Sequence, residues 1–128
     1  GLLIGVFSLT TIHASNDNIG FKFRIGSYYT NGVNPDGRFR QTNSTINPWK
    51  VKLVKSGEGK GTYTNFWLER SNGENLSNDI KAKQGAKSAS YDQPKSKANR
   101  KTVYLAGEKN NFNGNSYSVS GVWDEETW

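Results

Sequence analysis

Apolar and polar residues alternate with a period of two along most of this chain. In GFKFRIGS, Phe21, Phe23 and Ile25 fall on one face, and Lys22 and Arg24 on the other. PWKVKLVKS repeats the pattern, with Trp49, Val51 and Leu53 set against Lys50 and Lys52. ENLSNDIKAK aligns Leu76, Asn78, Ile80 and Ala82, and KTVYLAG sets Val103 and Leu105 against Tyr104. NSYSVSGVWDE aligns Tyr117, Val119, Gly121 and Trp123. Successive side chains on an extended backbone point to opposite faces, so each run predicts a half-buried antiparallel strand. GTYTNFWLER is a further β run with an open register, because Phe66, Trp67 and Leu68 are consecutive and must occupy both faces.

The breaks between runs carry turn chemistry: NPDG at 34–37, SGEGKG at 56–61, SNGEN at 71–75 and NFNGN at 111–115. Asn72-Gly73 and Asn113-Gly114 favour tight hairpins. No helical period is sustained anywhere. Two segments resist strand assignment. Residues 28–47 are polar and rich in Asn and Thr, with GRFRQT at 37–42 as a candidate short strand, and residues 84–99 are rich in Ser, Ala and Lys. Long loops in a compact domain tend to be functional or mobile. The pattern predicts an all-β fold, an antiparallel sandwich or small barrel of about six to eight strands.

The first stretch departs from this pattern. Residues 1–12 are apolar or small and uncharged, and end at His13-Ala14-Ser15. They read as the remnant of a signal-peptide h-region cleaved after Ala14, too short for a membrane span. The remnant lacks an initiator Met and a basic segment, so the chain is expected to be truncated at its start. Residues 15–128 are then a single secreted domain. This domain holds no cysteine and no histidine, since the only His is His13. Thiol catalysis, Ser-His and Cys-His pairs, zinc sites built on His or Cys, and disulfides are therefore excluded from it. An exported protein without disulfides fits Gram-positive secretion. Only 19 residues after Ala14 are Leu, Ile, Val or Phe, a lean supply beside a net charge of +6. Four Trp and six Tyr make up the shortfall, because each buried ring removes roughly 150–250 Å² from water.

Five motifs occur in order: NPWKVKL (47–53), SGEGKGTYTNFWL (56–68), KQG (83–85), LAGEKNNF (105–112) and YSVSGVWDEET (117–127). Together they resemble a family of small exported proteins of Gram-positive bacteria catalogued only as a domain of unknown function. The resemblance spans about residues 20–127. It implies secretion and one compact domain, and it supplies no reaction and no catalytic residues. Its loose association with bacteriocin-type export and transporter genes implies an antimicrobial or interbacterial role.

Four features are candidates for function. Lys81, Lys83, Lys87, Lys95, Lys97, Arg100 and Lys101 face a single acid, Asp92, across residues 81–101. On a mobile loop they would attract an anionic envelope polymer or a membrane surface, and salt would weaken the attraction. Nucleic acid is the least favoured partner, because secretion separates the two and Tyr91 is the only aromatic available for stacking there. The pairs Lys22/Arg24, Arg38/Arg40 and Lys50/Lys52 are expected on solvent faces, where they also discourage edge-to-edge aggregation. Tyr28, Tyr29 and Trp67 are candidate exposed platforms for a carbohydrate, although two-sided packing under loops explains them as well. Tyr63 and Tyr104 share that ambiguity. The carboxylates show no spacing that singles out a catalytic pair held about 5–10 Å apart. Calcium is only weakly suggested by SNDN at 15–18 and NPDG at 34–37. No cofactor motif is present.

The chain closes on SYSVSGVWDEETW. Trp123 is expected in the core, with Gly121 at a bulge or a close approach beneath an aromatic. Asp124, Glu125 and Glu126 are expected to leave the sheet as a short acidic tail. Its favoured role is a clasp on the protein's own Lys and Arg faces, ahead of a docking tag. Trp128 has no assigned place. The expectation for the whole chain is a secreted, non-catalytic binding protein, bacteriocin-like, that engages an anionic component of the bacterial envelope. The alternatives are a carbohydrate- or wall-binding module and a structural extracellular protein without a small ligand.

Overall fold

A computed structural model describes residues 16–128, so the expected leader lies outside the described residues. Nine strands follow in order: β1 (Ile19–Ile25), β2 (Gly32–Val33), β3 (Arg38–Phe39), β4 (Trp49–Ser56), β5 (Tyr63–Glu69), β6 (Ile80–Lys83), β7 (Ser90–Asp92), β8 (Thr102–Lys109) and β9 (Tyr117–Asp124). One short 3-10 turn, Ser96–Ala98, precedes β8. The strands form two packed antiparallel sheets. One runs β1-β9-β4-β7, and the other runs β2-β8-β5-β6 with β3 also paired to β8. This is an all-β sandwich rather than a closed barrel.

Alternation sets the inner faces. Phe21, Phe23 and Ile25 of β1 sit opposite Gly121, Val119 and Tyr117 of β9. Trp123 lies opposite Val51 of β4. From the other sheet, Phe66, Leu68, Val103 and Leu105 complete the core with Ile80 and Ala82. Phe66 meets Phe21 and Phe23 edge-on across the interface, at 5.5 and 6.2 Å between centroids, the arrangement that ring quadrupoles favour. Gly121 lies where backbone and ring come closest. A Cβ there would fall 2.0 Å from the Lys52 carbonyl oxygen and 3.0 Å from the Phe21 ring. The partner strand bulges between Leu53 and Lys55 beside it.

Nine strands stand beside the expected six to eight or so: β3 falls within the 37–42 candidate strand, while β2 and β7 lie in the stretches of 28–47 and 84–99 that resisted strand assignment. ENLSNDIKAK contributes a strand only from Ile80 on, with Leu76 still buried. Asn72-Gly73 makes the expected tight turn, with Gly73 at φ 88° and its N–H donating to the Arg70 carbonyl. Asn113-Gly114 does not close a hairpin. β8 and β9 belong to different sheets, so residues 110–116 cross from one sheet to the other.

The register defines two ends of the sandwich. β1, β4, β6 and β8 finish, and β5 and β9 begin, at one end. The loops 26–31, 57–62 and 110–116 gather there. Loops 34–48, 70–79 and 93–101 and the chain's final residues lie at the other end.

Candidate functional site

At the first end, Tyr28 and Tyr29 are brought together with Phe112, which the sequence did not single out. The Phe112 ring packs between them at 4.9 and 4.8 Å, tilted by 46° and 55°. All three stand exposed, at 51, 52 and 63 %. The loop beneath is built on Lys109, which sequence reasoning also missed. As the last residue of β8 it follows the inward register and is fully buried. Its ammonium donates to the Asn113 side chain at 2.6 Å, the Asn113 carbonyl at 3.0 Å and the Asn115 carbonyl. A buried ammonium is tolerated only when its donors are used. The Tyr28 N–H donates to the Asn113 carbonyl at 2.6 Å, with Tyr28 itself in the left-handed region at φ 55°. That conformation is uncommon outside glycine, so two loops hold each other in one geometry.

Trp67 is not part of this group, and its expectation as an exposed platform is corrected. It faces outward from β5 but is only 5 % exposed, and its indole N–H donates to Glu69 at 3.0 Å. Glu69 is buried too and lines an open depression of about 350 Å³ between Pro35, Arg70 and Tyr104. It is the single carboxylate on that lining, so the depression does not present a pair of acids. On the same outer face, burial pushes the Asp79 carboxyl up. Glu108 is pushed up by burial and then by the charge of Asp79.

The basic stretch holds strands β6 and β7 and the 3-10 turn rather than one continuous loop, and it divides. Lys81 and Lys83 project from edge strand β6, where the Lys81 ammonium lies 4.8 Å from the Tyr63 ring. Lys87 follows in the connection to β7. Lys95, Lys97, Arg100 and Lys101 cluster at the second end. There Lys97 pairs with Glu74 at 2.6 Å, drawing that carboxyl below its usual range. Arg100 donates to the Gln41 carbonyl and lies over Phe39. All seven cations are exposed.

Two of the cations expected on solvent faces are buried. Lys50 points to the outer face of its sheet, but residues 16–18 fold over it, and its ammonium donates to the side-chain oxygens of Asn16 and Asn18. The suggested cation seat in SNDN is thus taken by the protein's own ammonium. NPDG is likewise committed, with the Asn34 side chain accepting from the Lys22 N–H and donating to the Asp36 carbonyl. Arg40 turns inward after β3 and is 0 % exposed. Its guanidinium donates to the carbonyls of Glu125, Ser44 and Asn47, each at 2.7 Å, and to the Asn99 side chain at 3.2 Å. Burial lowers its pKa, and the nearby carboxylates Glu126, Glu125 and Asp124 act in the opposite direction.

The chain's ending packs around this guanidinium. Trp123 is in the core, and Asp124 stays in β9 instead of leaving it. Asp124, Glu125 and Glu126 are all buried. Glu125 pairs with Arg38 at 2.6 Å, and Glu126 accepts the backbone N–H groups of Gln41 and Thr42. Asp124 accepts the N–H groups of Asp17 and Glu126. Burial pushes its carboxyl up to about 7. Thr127 ties to the Pro48 carbonyl, while Trp128 lies exposed against Tyr91 with 5.7 Å between centroids.

The model of the DUF2712 family, described as a protein of unknown function, matches residues 7–127, and this chain belongs to that family. No curated protein and no solved structure matches the chain.

Proposed function

We propose that this protein is a secreted, non-catalytic binding protein that engages an anionic component of the bacterial envelope. One observation carries the reading: folding sorts the charges. Twelve of the seventeen cations stand exposed, against three of the eleven acids, Asp17, Asp36 and Asp79. Four acids, Glu69, Asp124, Glu125 and Glu126, are spent inside the fold. The accessible surface is therefore far more cationic than the ratio of basic to acidic residues conveys. Such a field concentrates anionic polymers at the surface and weakens with salt. The resemblance to exported proteins of Gram-positive bacteria supports an interbacterial, bacteriocin-like setting. The carbohydrate platform has less support, since Trp67 is buried and the two tyrosines spend ring surface on Phe112.

The test replaces Lys81, Lys83, Lys95 and Lys101 together by Gln and measures co-sedimentation with envelope preparations at low salt. A Lys near an anionic surface is worth about 1 kcal/mol, so binding should fall by at least about tenfold. Unchanged binding at low salt contradicts the proposal.

A further inference from the structure

Both ends of the sandwich expose apolar side chains beside cations, with Phe39, Ile46 and Trp128 near Arg100 and Lys101 at the second end, but only the first gathers three exposed aromatic rings into one contact group. Phe112 is 63 % exposed and is flanked by the half-exposed rings of Tyr28 and Tyr29. Exposed cations accompany it. Arg24 is the last residue but one of β1, with its guanidinium on Ser116 and Ser118, Lys55 is the last but one of β4, Lys60 sits in the loop that follows, and Lys83 ends β6. The acids nearest this end, Glu58 and Glu108, are half-buried; of the three exposed acids, Asp17 and Asp36 lie at the other end, and Asp79 precedes Ile80, which pairs with Phe66 in the middle of β5.

We infer that this end docks onto an anionic phospholipid bilayer, with Phe112, Tyr28 and Tyr29 entering the headgroup layer and Arg24, Lys55, Lys60 and Lys83 meeting the lipid phosphates. The inference rests on the anionic-envelope reading and names the membrane surface as the component. The shape of the aromatic group selects this partner. Phe112 packs tilted against both tyrosines, an aromatic knob that takes up ring surface, whereas a sugar ring stacks on an open flat face. Aromatic side chains with one polar end favour the membrane–water boundary, and basic residues are drawn to anionic headgroups. Stable peripheral binding takes both contributions, because one apolar anchor alone is marginal. The knob is also set before any partner arrives. Lys109 fixes residues 113–115 from within, and the left-handed Tyr28 locks the second loop to Asn113. Little ordering is then required on docking.

The test uses the full chain and vesicles of phosphatidylcholine alone or in equal parts with phosphatidylglycerol, with soluble polyphosphate as a bilayer-free polyanion. Phe112 is exposed, so Phe112→Ala leaves the core intact. It should weaken partition into the anionic vesicles about tenfold, from the apolar surface no longer buried, and leave polyphosphate binding unchanged. In Phe112→Trp, tryptophan emission should shift to the blue on addition of anionic vesicles. The wild-type protein, whose exposed Trp128 is at the opposite end, should show no shift. Equal vesicle binding by Phe112→Ala and wild type overturns the inference, as does a wild-type shift from Trp128. Wild-type binding to polyphosphate but not to vesicles overturns the bilayer as partner and leaves the anionic-envelope reading standing. Binding to neither overturns both.

Discussion

Arg40→Met replaces a guanidinium with an apolar side chain of similar reach and no donors. Four acceptors lose their partner: the carbonyls of Glu125, Ser44 and Asn47 and the Asn99 side chain. The bond to the Glu125 carbonyl is fully buried, and orphaning that oxygen costs about 1–3 kcal/mol. The other three acceptors border solvent and can recruit water, so each forfeits only about 0.5–1.5 kcal/mol. Relief of the burial that lowers the Arg40 pKa offsets part of this loss. The net expectation is a loss of about 2–5 kcal/mol. A domain of this size holds about 5–15 kcal/mol in total, so the melting temperature should fall by about 10–20 °C. Thermal and urea unfolding followed by circular dichroism measure this directly. Arg38→Met is the internal comparison. Its ion pair joins a 36 % exposed arginine to the buried Glu125 carboxylate, and its loss should cost about 1–3 kcal/mol by leaving that carboxylate unpaired. If Arg40→Met unfolds within about 1 kcal/mol of wild type, the buried guanidinium does not hold the chain's end in place.

Two further outcomes are expected. With its carboxyl at about 7 when folded against 3.8 ordinarily, Asp124 binds its proton more tightly in the native state. Its contribution is fully present below about pH 4 and is lost as pH rises to about 7, an upper bound of about 4 kcal/mol. The stability gap between Asp124→Asn and wild type, from urea unfolding at successive pH values, should therefore shift in the variant's favour between pH 4 and 8. A gap independent of pH contradicts the raised carboxyl. Lys109→Met should cost about 2–4 kcal/mol through its three orphaned acceptors and speed chymotryptic cleavage at Phe112; a loop as resistant as wild type contradicts the anchoring role.

Alternation exposes the sandwich because most of its longer strands bury chiefly one face, which is the condition under which a period of two is written into the residues; β5, buried on both faces from Phe66 to Glu69, is the exception and the one run whose register the pattern leaves open. β2 and β7 are too short to show a period, so the polar composition of their surroundings hides them, whereas β3 lies within GRFRQT, already a candidate strand from its sequence. Asn113-Gly114 misleads because turn chemistry reports a local bend and not which sheet the chain enters next. The buried cations mislead for a related reason. Lys50 and Arg40 obey the pattern of an exposed face; Lys50 is covered by residues 16–18, and Arg40 by Asn99 and Glu125 as well as its own loop, and the decisive contacts are distant in sequence. Lys109 is the exception that carries a signal. In VYLAGEKN its position continues the inward series of Val103, Leu105 and Gly107. Tyr28 and Tyr29 stand out as adjacent aromatics in a polar segment. Phe112 sits alone among asparagines, and only the crossing of 110–116 between sheets sets it between the tyrosines.

The claim that an exposed cationic surface recognises an anionic envelope is tested most directly by wild-type binding to purified Gram-positive envelope fractions across a salt series. The account predicts tight binding at low salt that weakens steadily as ionic strength rises and the screening length shortens to about 8 Å at physiological salt. Binding whose strength does not change with salt, or no binding at the lowest salt, would contradict it.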